Sequence, residues 1–185
     1  LLTKTNATCF GSCDGFAQIA VAGGIPPYNY TWYDSGMTPI GQTTASAFNL
    51  CAGTFTGSIV DTTGCTASVS VTIIQPSALN AITASQTNIT CFSACDGTAS
   101  TVTSGGTTPY SFSWNDANSQ TTPTATGLCA GTFTLQISDA NSCDTSISVT
   151  ITEPSQLTAA TSATSASCGT ASGTAAAAAA GGSSP

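Results

Sequence analysis

The sequence has almost no basic side chains and no histidine at all. Lys4 is the single cation among 185 residues, charged residues make up 5%, and the formal net charge is −7. Binding to nucleic acid requires several cations to displace counterions from phosphates, so that class of partner is excluded. A polybasic contact with an anionic membrane surface fails for the same reason, and no apolar run is long enough to insert into a bilayer. With no His for general base work and no Arg to clamp an anion, the chain reads as a non-enzyme. The helix formers Glu, Lys, Arg and Met are nearly absent, while β-branched residues abound, so an all-β fold is expected. No signal peptide appears in this numbering, which fits a mature or excised segment.

What the chain does have is repetition, the first thing to read in any sequence that shows it. Leu50-Cys51-Ala52-Gly53-Thr54-Phe55-Thr56 runs on through Ile59 and Asp61 to Cys65. Leu128-Cys129-Ala130-Gly131-Thr132-Phe133-Thr134 runs on through Ile137 and Asp139 to Cys143. Each copy reads as a β-hairpin with a cysteine at either end, its turn supplied by Asp61-Thr62-Thr63-Gly64 or Asp139-Ala140-Asn141-Ser142. Upstream, Cys9-Phe10-Gly11-Ser12-Cys13-Asp14-Gly15 is matched by Cys91-Phe92-Ser93-Ala94-Cys95-Asp96-Gly97. A strand and a double glycine follow in both copies, then Tyr28, Tyr30 and Trp32, or Tyr110, Phe112 and Trp114. Aromatics at a period of two place one face of a strand in the core. Phe55, Ile59, Phe133 and Ile137 join them there. Residues 33–49 and 115–127 differ in length between copies, which marks a surface loop.

A third copy begins at Cys168 and reaches Gly173-Thr174, six alanines and Gly181-Gly182-Ser183-Ser184-Pro185. Propensity alone would make the alanines helical, but their place in the repeat makes them a strand. The expected domains are therefore 1–77, 78–155 and an unfinished 156–185, completed by continuing chain or by another subunit. Six or seven short strands per repeat of about eighty residues suggest immunoglobulin-like β-sandwiches with Greek-key connections.

Nine cysteines without His or Cys-x-x-Cys pairs point to disulfides and an oxidising, extracellular setting rather than to zinc. The strand from Cys51 to Asp61 spans roughly 33 Å, so Cys51 cannot bond Cys65 across the hairpin. In an immunoglobulin-like layout the loop of Cys9 and Cys13 lies at the end of Cys51, away from Cys65. One bridge is expected from that pair to Cys51, and its counterpart from Cys91 or Cys95 to Cys129. For the leftover cysteines two pairings stay open. In one, Cys143 bonds the unused member of Cys9/Cys13 and ties consecutive repeats; in the other, Cys9 bonds Cys65 within its repeat.

The Cys…Asp-Gly opening, Gly-Gly-x-x-Pro-Tyr-x-[Tyr/Phe]-x-Trp, Leu-Cys-Ala-Gly-Thr-Phe, the Asp…Cys turn and the closing [Gln/Glu]-Pro together resemble the SprB-type repeat of cell-surface adhesins in gliding Bacteroidetes. The resemblance covers nearly the whole chain. It implies a secreted protein exported by the type IX pathway, displayed as a tandem-repeat filament or stalk in adhesion or gliding motility, with no catalytic residues. The expected partners are other repeats of the same chain or identical subunits. The alternative is an adhesin module that binds carbohydrate, such as surface polysaccharide, through loops 33–49 and 115–127. No cofactor is expected, although Asp14 and Asp139 are calcium candidates if they approach where repeats stack. Asn6, Asn29 and Asn88 head N-x-Thr sequons, and the resemblance also directs attention to O-linked sugar at Thr62 in Asp61-Thr62-Thr63.

Overall fold

The computed structural model describes residues 2–169 and 171–182, and the Ser183-Ser184-Pro185 end of the third copy lies outside them. The described chain is all-β. In the first repeat the strands are β1 (Leu2–Thr5), β2 (Gly15–Ile19), β3 (Asn29–Tyr33), β4 (Ser46–Leu50), β5 (Gly53–Val60) and β6 (Thr66–Ile73). The second repeats the series as β7 (Asn80–Thr87), β8 (Gly97–Ser104), β9 (Ser111–Trp114), β10 (Thr124–Leu128), β11 (Gly131–Ser138) and β12 (Asp144–Ile151). The third copy supplies β13 (Thr158–Thr164) and β14 (Thr174–Ala180), so the alanine run is a strand.

Strand order fixes the fold of each repeat. One sheet runs β1-β2-β4 and the other β3-β5-β6, and the second repeat has the same orders in β7-β8-β10 and β9-β11-β12. These are the A-B-E and C-F-G sheets of an immunoglobulin-like sandwich, without a D strand. The core of the first repeat draws Ala17, Ile19, Ala47 and Leu50 from one sheet and Trp32, Ile59, Val71 and Ile73 from the other. Buried residues alternate with less buried ones in the second half of β5 and of β6, as a half-buried antiparallel pair requires. Tyr28, Tyr30 and Phe55 are partly buried at the margin of this core, and Trp32 is wholly buried within it. In the second repeat Trp114 and Ile137 are buried, with Tyr110, Phe112 and Phe133 partly so.

Close packing sets the size of individual side chains. Gly57 faces Ile19 and Trp32, and a Cβ there would stand 2.3 Å from Ile19 Cδ1. The indole N–H of Trp32 donates to Thr44 O at 3.0 Å, and that of Trp114 to Thr122 O at 2.9 Å. Both large rings are thus buried with their polar atom satisfied.

The loops of unequal length each end in a strand that the sequence pattern did not reveal. Residues 33–49 run into β4 and residues 115–127 into β10. Ala47 and Leu50 are buried, as are Ala125 and Leu128, but three-residue spacing breaks the alternation in both. The cause is a register shift opposite β2 and β8, with Asn49 and Gly127 at positive φ.

Two compact units emerge from the contacts. The first comprises residues 1–80, 104–110 and 138–144, and the second residues 81–103, 111–137 and 145–185. The units therefore do not follow the sequence repeats. The turns between β8 and β9 and between β11 and β12 pack as part of the first unit.

Candidate functional site: a joint between repeats

The first compact unit contains a joint made from four short segments. Two belong to the first repeat: the loop from Cys9 to Asp14 between β1 and β2, and the exit after β6. Two belong to the second: the double-glycine turn after β8 and the turn from Asp139 to Cys143. A disulfide joins Cys9 to Cys143 across a sequence separation of 134, with Cα atoms 5.8 Å apart. Of the two pairings the sequence left open, this is the one that ties consecutive repeats. Cys13 bonds Cys51, and Cys95 bonds Cys129. Cys65, Cys91 and Cys168 are free and exposed.

Hydrogen bonds seat the joint around that bridge. Gly106 N donates to Ser77 O at 2.9 Å, and Asn141 Nδ2 donates to Thr8 O at 2.8 Å. The approach at Gly105 is so close that a Cβ would lie 1.9 Å from Ala78 O, and its φ of +76° also favours glycine. Leu79 packs against the same turn, since a Cβ on Gly106 would meet Leu79 Cδ1 at 3.1 Å.

Asp139 holds the two second-repeat segments together. Its carboxylate accepts from Thr107 N at 2.8 Å, Asn141 N at 2.8 Å and Cys143 N at 2.9 Å. Burial pushes this carboxyl up, but the N–H groups of Cys143, Thr107 and Asn141 outweigh it and hold the group below its ordinary value. Asp61 does the same at the tip of the first repeat, accepting from Ile25 N, Thr63 N and Cys65 N. The Thr63 hydroxyl is the largest influence there, followed by the Ile25 N–H, and together they draw Asp61 down to about 2. Asp14 is also drawn to about 2, first by the Thr8 hydroxyl, then by the Ser12 hydroxyl and Thr8 N–H.

Each of the two calcium candidates is thus engaged by donors in nearby turns, and no cluster of three or more metal-type ligands occurs among the described residues. Asn6 Oδ1 accepts from Ile74 N at 3.3 Å and Asn88 Oδ1 from Thr152 N at 3.0 Å, so each binds the residue that follows the last strand of its own sandwich. Asn29 is exposed on β3. Thr62 is exposed, with its hydroxyl donating to Ile25 O at 2.6 Å. In the loops of unequal length, Asp34 caps a turn through Gly36 N and Thr38 N, and Asp116 through Asn118 N and Gln120 N. Met37 is exposed beside one of these turns, and the Phe48 ring lies 5.1 Å from that of Phe16.

Sequence reasoning missed Asn141, Ser77 and the docking of Gly105. Two signals for them were present. The turn of the second repeat has Asn141 where the first has Thr63, and the double glycine recurs in all three copies while the residues around it vary.

Residues 1–37 and 83–119 match the family model of the SprB repeat. No curated protein matches the chain. Among solved structures, the three N-terminal domains of the bacteriophage RB49 highly immunogenic outer capsid protein (Hoc) align over 99% of this chain and 69% of that one. Identity is 16% and the TM-score is 0.49. An amphioxus IgVJ-C2 molecule aligns over 80% of this chain and 98% of its own, at 12% identity and a TM-score of 0.32.

Proposed function

We propose, from the two stretches that match the SprB repeat, that the chain is a structural tandem-repeat segment of a cell-surface filament or adhesin stalk, without catalytic activity. The joint is the observation that carries this reading. Cys9–Cys143 closes a loop over most of the chain, so tension applied at its ends passes through the bridge and bypasses residues 10–142. Such a bond also restricts the unfolded chain and contributes roughly 2–5 kcal/mol of stability. A sandwich of about eighty residues buries a small core, so a staple of that size is a large share of its total.

A Thr- and Ser-rich surface with few charges suits a shaft, and a disulfide-bonded chain suits an extracellular location. The variable loops spend Asp34 and Asp116 on their own turns, which favours the shaft over a ligand-binding module.

Single-molecule stretching tests the reading. The 134-residue separation hides roughly 45 nm of contour length at about 3.4 Å per residue. The oxidised chain should withhold that extension and release it after reduction. Equal extension in both states would remove the support for a tension-bearing role.

A further inference from the structure

Cys65 and Cys91 are free in this structure and repeat the two positions that Cys9 and Cys143 bond. Cys65 occupies the same turn position in the first repeat as Cys143 in the second, and Cys91 the same loop position as Cys9. Both are exposed. The surfaces around them also correspond to the two sides of the joint. At the tip of the first repeat, Gly23 has the positive φ of Gly105, and nothing lies within 4 Å of where its Cβ would be. Asp61 organises that tip as Asp139 organises the docked one. At the base of the second repeat, Cys91, Phe92, Ser155 and Leu157 line a hollow of ≈ 520 Å³. Leu157 is 67% exposed there, whereas its counterpart Leu79 is half-buried in the made joint.

We infer that the first-repeat tip of one copy docks on the second-repeat base of another and that Cys65 then bonds Cys91. The contact uses two different surfaces, so it propagates head to tail rather than closing as a symmetric dimer. In the bond-forming step the two thiols give up two protons and two electrons to a disulfide oxidant, which is reduced to two thiols. One contact must be exchanged. Ser155 O accepts from Gly182 N at 2.9 Å, the counterpart of the Gly106–Ser77 bond, and the incoming Gly24 takes its place. The β13–β14 hairpin, none of whose strand residues is buried, must give way for this exchange. Thr63 stands where Asn141 would be, so the new joint lacks the hydrogen bond to the opposing loop and depends more on its disulfide.

The inference rests on the reading that repeats dock end to end, and its test separates the two. The 185-residue chain is incubated in a glutathione redox buffer, resolved on non-reducing gels and mapped by mass spectrometry. A ladder is expected in which Cys65–Cys91 is the dominant intermolecular peptide. Cys65→Ser and Cys91→Ser should each cut the ladder at least tenfold, and Cys168→Ser should leave it unchanged. Gly181→Val, whose side chain would collide with Gln156 O, should accelerate the ladder by freeing the base. Random joining of Cys65, Cys91 and Cys168, persistence of the ladder in Cys65→Ser, or no ladder at all would overturn the inference. Any of those results would leave the stretching result, and the stalk reading, standing.

Discussion

Where the first repeat has Ile19 facing Gly57, the second has Thr101 and Leu135 at the corresponding positions. All four are buried, so one core places its bulk on the second strand and the other on the fifth. A second difference lies at the tips. Gly105 is pressed against Ala78 O and its turn cysteine is bonded, while Gly23 and Cys65 are open. The cores differ by exchanging volume between neighbours, which keeps the sandwich unchanged. The tips keep the double glycine, the turn aspartate and the turn cysteine, and differ at Asn141, which reaches Thr8 O where the first repeat has Thr63. Repeats of one design thus tolerate divergence inside, where partners compensate, and keep the glycines and cysteine on which the joint closes.

That contrast is broken most strongly at the joint. Cys143→Ser should cost roughly 2–5 kcal/mol, read from denaturant unfolding, with the loss confined to oxidising conditions. Serine at Cys65, the same position of the undocked tip, should change stability by less than about 0.5 kcal/mol.

The core exchange gives the next effect. Gly57→Leu should destabilise the first repeat by about 1–3 kcal/mol through collision with Ile19 and Trp32. Adding Ile19→Thr recreates the pairing of the second repeat and should recover much of the loss. A double-mutant cycle on thermal unfolding measures the coupling, and additive effects would contradict volume exchange.

A smaller gain is expected at Thr103, the counterpart of Val21. Its buried Oγ1 has no hydrogen-bond partner. Thr103→Val should therefore stabilise the second repeat by about 1 kcal/mol, visible as a raised unfolding midpoint.

The acid response is the mildest of the effects. Asp61 and Asp14 have folded values near 2, below the ordinary 3.8. A depressed carboxyl contributes its full stabilisation above the unfolded value and loses it as pH falls through the folded one. Stability should therefore be flat above pH 3.8 and fall between 3.8 and about 2. Asp61→Asn should flatten part of that slope in equilibrium unfolding across the window.

Much of this was legible in the sequence because repetition supplies a second reading of every segment. Period-two aromatics marked β3 and β9, and the register of the third copy turned an alanine run into β14. Strands β4 and β10 were not legible, because a bulge at Asn49 or Gly127 destroys the alternation that identifies a strand. At the joint, cysteine spacing and strand length narrowed the pairings, since those depend on reach alone. The roles of Asn141 and Ser77 stayed hidden. One acts through a side chain on a turn that could face water equally well, the other through a backbone carbonyl that any residue would provide.

Peptide mapping of the oxidised chain without reduction tests the central claim most directly. Proteolysis of the monomeric species should release a fragment in which Cys9 is linked to Cys143, with Cys65 recovered as a free thiol. A fragment linking Cys9 to Cys65 would place the bond within one repeat and contradict a covalent joint.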